Sequence, residues 1–121
     1  MKTAVVSGAT GMIASALIRV LVEKGVRGAG NLNKEALHFV TAVAQSDAIE
    51  RLLPVLSEKE TEIYKRGRNQ HSASIPKSAS AAQYRRATGF EALIGYLYLE
   101  GKEDRLKEVL NMAYDALCNN E

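Results

Sequence analysis

Arg85-Arg86-Ala87-Thr88-Gly89-Phe90-Glu91-Ala92-Leu93-Ile94-Gly95-Tyr96-Leu97-Tyr98-Leu99-Glu100 is the stretch on which the fold turns. Phe90, Leu93, Ile94 and Leu97 recur at helical spacing and form one core-facing stripe, and Gly101 is placed to end the helix. A helix is expected from about Ala81 to Leu99. On it Glu91 shares a face with Tyr84, Ala87, Thr88, Gly95 and Tyr98, so its nearest neighbours are mostly small. A carboxylate on a rigid helix with room around it suits a hard cation such as Mg²⁺, which needs oxygen ligands and space for its waters. The plainer alternative is a surface ion pair with Arg85 or Arg86, and helical geometry alone favours it.

Outward from this segment almost every periodic stretch also reads as helix. Toward the carboxyl end, Leu106, Val109, Leu110, Ala113 and Leu117 mark a last helix from about Glu103, with Met112 as core filler and Cys118 to Glu121 fraying. Toward the amino end, Ser57 and Glu60 form a capping box for a short helix carrying Ile63 and Tyr64. Asn33 can cap a helix with the stripe Leu37, Val40 and Ala44, in which Thr41 is the one polar member; the pattern resumes at Ile49, Leu52 and Leu53 before Pro54 interrupts. Ile13, Leu17, Val20 and Leu21 define a helix over Met12 to Lys24, closed by Gly25. No internal repeat or interdomain linker is visible, and residues 1–121 suit a single all-α domain.

Charge is unevenly spread. Lys65, Arg66, Arg68, Lys77, Arg85 and Arg86 lie in a stretch, Lys65 to Arg86, that has no Asp or Glu, whereas the rest of the chain carries ten basic against fourteen acidic residues. Gly67 to Ser80 is polar, small and aperiodic, so a long loop is expected inside this basic stretch. A basic stretch on an otherwise acidic chain is what a phosphate-binding face requires, and a solvated surface loop is the bland alternative.

Composition excludes more than it selects. The chain is 46% hydrophobic and 25% charged, which is ordinary for a soluble globular protein. The lone Cys118 offers neither a disulfide framework nor metal-ligand spacing, so a reducing cytoplasmic setting is expected. His38 and His71 lie far apart without matching ligands. No apolar run approaches the roughly 20 residues of a membrane span, and Met1 to Val6 meets Gly8 too soon for a signal peptide.

The run Phe90-Glu91-Ala92-Leu93-Ile94-Gly95-Tyr96-Leu97-Tyr98-Leu99 resembles the second signature of ribonuclease III domains, in which the Glu of the FEALIG-type motif is a magnesium ligand. Tyr64-Lys65-Arg66-Gly67-Arg68-Asn69, Ile75-Pro76-Lys77 and Gln83-Tyr84-Arg85 resemble, in the same order, the basic loop and helix start of Mini-ribonuclease III, the branch that has only the catalytic domain. The resemblance covers residues 17–117, with 1–16 atypical. It implies an all-α homodimeric endonuclease domain that cleaves double-stranded RNA with Mg²⁺, typically in ribosomal RNA maturation. It makes Glu91 the catalytic metal ligand and gives phosphate or ribose contacts to Arg66, Arg68, Asn69, Lys77 and Arg85. Tyr96 and Tyr98 are read as core or dimer packing ahead of base stacking.

The amino-terminal segment departs from this pattern. The family's first signature carries an Asp that completes the metal site; its expected position is near Thr10 to Met12, and the first acidic residue here is Glu23. Asn33 stands where a His is usual and Val43 where a basic residue is usual. One carboxylate is a poor magnesium site, so the alternative to an enzyme is a non-catalytic RNA-binding or dimerising relic. Val5-Val6-Ser7-Gly8-Ala9-Thr10-Gly11-Met12-Ile13-Ala14 resembles instead the opening strand, glycine turn and helix of an NAD(P)-dependent epimerase or short-chain dehydrogenase. Over Thr3 to Val6 the strand reading therefore competes with a helical one. A dinucleotide site would need a second strand with a ribose-binding acid after Gly25, and a helical pattern follows there. A recombined or mis-started reading frame would account for the junction.

Overall fold

The computed structural model describes residues 2–26, 28, 30, 41–70 and 80–118, with side chains from Ile13 onward. Every regular element among them is helical: α1 (Lys2–Glu23), α2 (Ala42–Leu52), a 3₁₀ turn (Leu53–Val55), α3 (Glu58–Arg68), α4 (Ala81–Leu99) and α5 (Glu103–Cys118). The proposed cap at Asn33, the apolar residues Leu37 and Val40, both histidines and the loop centred on Ile75-Pro76-Lys77 lie outside the described residues.

α4 is the central element. Its expected stripe is the core: Phe90, Leu93 and Ile94 are fully buried and Leu97 nearly so. They meet Ile13, Leu17, Val20 and Leu21 of α1, Ile49 and Leu52 of α2, Tyr64 of α3, and Leu106, Val109, Leu110 and Ala113 of α5 in one apolar cluster, with Met112 and Leu117 packed at its edge. Gly25 (φ 94°) closes α1 and Gly101 (φ 70°) turns the chain between α4 and α5, both in the left-handed region that side chains avoid.

Three sequence expectations need correction. First, the helix expected from Met12 begins at Lys2, and the strand alternative over Thr3 to Val6 does not form. Four β-prone residues cannot persist as a strand without a partner, and none exists among the described residues. Second, Thr41 is not part of a helical stripe. Its backbone is extended and its side chain accepts from the Ala44 N–H, so it caps α2. Third, the loop does not begin at Gly67, because α3 continues through it to Arg68.

Both ends of the α3–α4 pair are fixed locally. Ser57 with Glu60 and Ser80 with Gln83 make reciprocal capping boxes. Glu60 has a second role: its nearly buried carboxylate takes two hydrogen bonds from Arg105 of α5, Nε to Oε2 and Nη2 to Oε1, each 2.7 Å. The Arg105 guanidinium also reaches the Val55 carbonyl at 3.2 Å and Glu108 at 2.6 Å. This fork ties the start of α3 to α5 across the 3₁₀ turn.

Candidate nucleic-acid interface

The basic residues of α3 and α4 meet because the two helices cross at glycines. A Cβ built on Gly67 would stand 2.6 Å from the Ala92 Cβ and 3.0 Å from the Gly89 Cα; one built on Gly89 would stand 2.7 Å from the Tyr64 carbonyl oxygen. Only glycine at both positions allows so close a crossing. It brings the last turn of α3 alongside the first turns of α4, and between them lies a groove of about 410 Å³ lined by Arg68, Asn69, Gln70, Ala82, Arg85 and Arg86.

Within this groove each cation has a different setting. The Arg68 Nε donates to Asn69 Oδ1 at 3.2 Å, and its guanidinium lies 5.6 Å from the Tyr64 ring centre, a cation–π distance. Arg85 is exposed. Arg86 donates from Nη1 to Ser46 Oγ at 3.2 Å and pairs through Nε with Glu50 Oε1 at 3.2 Å, so α2 holds it from behind. Beneath them Tyr64 is buried, and burial pushes its phenol up, against the lowering pull of Arg68 and Arg86.

Of the five candidate RNA contacts, the structure joins Arg68, Asn69 and Arg85. Arg66 lies elsewhere: it pairs with Glu62 at 3.0 Å and lines a second groove, about 500 Å³, with Lys65, Thr61 and Asn69. The cause is helical geometry, since residues two apart on a continuous helix project from opposite sides. Lys77 lies outside the described residues. Gln70 and Arg86 are groove residues that sequence reasoning missed. Arg86 was within reach of it, being part of the basic stretch, whereas its fixing by Ser46 and Glu50 across 40 and 36 positions leaves no local signal.

Glu91 is half-buried on α4, away from these grooves. It does not make the ion pair with Arg86, whose guanidinium is engaged by Glu50. The Thr88 hydroxyl is turned to the Tyr84 carbonyl at 2.9 Å, and a Cβ at Gly95, one turn further along the helix, would meet nothing within 4 Å. Burial pushes the Glu91 carboxyl above its ordinary range. Its second ligand is the difficulty. Glu23 pairs with Lys107 at 3.3 Å and Asp47 with Arg51 at 3.4 Å, and among the described residues no group of three His, Cys, Asp or Glu side chains could hold a metal. A catalytic magnesium normally combines several protein and substrate oxygens, so the described residues do not fit one.

The carboxyl's environment makes one consequence measurable. A folded-state value raised above the unfolded one destabilises the fold at neutral pH, and the penalty is relieved as pH falls through the raised value. Glu91→Gln is therefore expected to melt higher than the parent at pH 7, with the difference closing near pH 4; calorimetry showing a lower melting temperature at pH 7 would contradict this.

Residues 12–102 match the family model described as the ribonuclease III domain. The chain is 46% identical over 95 residues to Mini-ribonuclease 3 of Symbiobacterium thermophilum, an alignment covering 78% of this chain and 73% of that one. It is 47% identical over 94 residues to Mini-ribonuclease 3 of Brevibacillus brevis, covering 78% and 70%. The crystal structure of a Fusobacterium nucleatum protein superposes with a TM-score of 0.71 at 27% identity, covering 88% of this chain and 85% of that one. The helical order, the basic groove and these matches lead to one assignment: the chain belongs to the ribonuclease III family, in its Mini-ribonuclease 3 branch.

Proposed function

We propose that this chain is a ribonuclease III-type module for double-stranded RNA, and that its described residues equip it to hold RNA better than to cut it. The observation that carries the reading is the convergence of Arg68, Asn69 and Arg85 on one groove. Guanidinium forks match phosphate oxygens, an amide serves a ribose hydroxyl, and A-form RNA is held by shape through such contacts rather than by base sequence. The family resemblance extends the proposal to a homodimer acting on ribosomal RNA precursors in the cytoplasm. Among the described residues no helix is long and apolar enough to cross a membrane.

A second reading, a magnesium-dependent endoribonuclease, is favoured by Glu91, which stands in this sequence where the family's signature carries a metal ligand. It requires further oxygen ligands that the described residues do not provide.

One experiment separates the two. A labelled RNA duplex is incubated with the protein with and without Mg²⁺ and followed by retardation and by denaturing gel. Retention without shortening is the expected result. Shortening that needs Mg²⁺ and vanishes in Glu91→Gln would establish the endonuclease, and neither retention nor shortening would remove both. Arg85→Ala is expected to weaken duplex binding by about three- to tenfold at low salt and to lower the salt slope by about one.

A further inference from the structure

We propose that Arg86 is a phosphate-binding residue held in reserve by Glu50, so that the α2–α4 ion pair sets how strongly the groove attracts polyanions. The inference rests on the groove's reading as an anion site and assigns it a control that is absent from the basic sequence itself. Arg86 lines the groove together with Arg68 and Arg85, yet its charge is already engaged: Glu50 Oε1 is 3.2 Å from its Nε and Ser46 Oγ 3.2 Å from its Nη1. The two partners differ in kind. Ser46 is nearly inaccessible, 2% exposed, and fixes one edge of the guanidinium whatever occupies the groove. Glu50 is about half exposed at 54%, an ion pair that water and salt already weaken. A phosphate entering the groove offers the same geometry as the carboxylate with more charge, and the guanidinium has five N–H donors for the exchange. Arg86 thus turns from an internal partner to the ligand while Ser46 keeps its position, and Glu50 opposes the change both by competing for Arg86 and by repelling the anion.

The proposal makes Glu50 a positioning residue whose removal improves binding. Glu50→Gln is expected to tighten binding of a short RNA duplex about two- to fivefold at low salt and to steepen the salt slope by about one phosphate. The gain must run through Arg86, so it should disappear in Glu50→Gln combined with Arg86→Gln, and survive in part with Arg86→Lys, which also guards against a fold lost with the guanidinium. Glu23→Gln removes the same charge beside Lys107, at the opposite end of α4 from the groove, and is expected to have little effect. Inorganic tripolyphosphate serves as a second probe independent of RNA, followed by the Arg86 Nε–Hε resonance. A Glu50-dependent shift with tripolyphosphate but no duplex binding keeps this inference and removes the RNA reading. Duplex binding unaffected by Glu50→Gln, or a gain that persists in full with Arg86→Gln or is matched by Glu23→Gln, overturns the inference and leaves the RNA reading standing.

Discussion

Replacing Gly89 by alanine is expected to destabilise the protein by about 3 kcal/mol and lower its melting temperature by roughly 10 °C or more, because the new methyl group meets atoms that cannot withdraw. An added Cβ stands 2.7 Å from the Tyr64 carbonyl oxygen and 2.7 Å from the Tyr64 Cδ1. The first is helical backbone; the second belongs to a ring that is 1% exposed and already fills the core. Relief must come from separating α3 and α4, which also widens the groove between Arg68 and Arg85. Loss of stability and of RNA affinity should therefore appear together. Gly67→Ala should act in the same direction through Ala92. Gly95→Ala is the control, on the same helix but with nothing within 4 Å, and should stabilise by about 0.5–1 kcal/mol as an ordinary helix substitution. A melting temperature for Gly89→Ala within 2 °C of the parent, on the order of the scatter for a neutral surface change, would show that the crossing is looser than described.

Arg105→Met should cost a similar amount, about 3 kcal/mol at pH 7, and its signature is a pH dependence. The arginine fork holds the Glu60 carboxyl below its ordinary value of 4.5, with the Ser57 hydrogen bonds helping and burial opposing. A carboxyl lowered in the folded state contributes stability that is present above the unfolded value and is lost as pH falls through the folded one. Without Arg105, burial is left as the main influence on a nearly enclosed carboxylate. The deficit of the variant should therefore be largest at neutral pH and shrink below about pH 4.5 as the carboxyl takes up a proton. Chemical denaturation at pH 7 and at pH 4 reads both values; an equal deficit at the two would assign the loss to the packing of the arginine stem alone.

The elements governed by local rules were legible in the sequence. Phe90, Leu93, Ile94 and Leu97 form the core stripe their spacing requires, Gly25 ends α1, and the Ser57–Glu60 capping box is present. The Ser80–Gln83 box follows the same local pattern, with a polar stretch of sequence running directly into it. What stayed hidden depends on atoms far apart in the chain. Gly67 reads as a loop start, and its real use as a contact surface for α4 is invisible until α4 is placed against it. With that contact in place α3 runs on to Arg68, which separates Arg66 from Arg68 and joins Arg68 to Arg85. Glu60 reads as a cap, and nothing near it signals Arg105. For Glu91, the family resemblance supplied a metal role, and the sequence itself shows that no Asp or Glu precedes Glu23.

Whether the groove between α3 and α4 holds duplex RNA can be read from the fluorescence anisotropy of a short labelled RNA duplex across a salt series, for the parent and for the Arg68→Ala/Arg85→Ala double variant. Saturable binding is predicted, with an affinity that falls log-linearly with salt and a slope reduced by about two in the double variant. A parent protein that does not bind at low salt, or a double variant with unchanged affinity and slope, would contradict RNA binding in this groove.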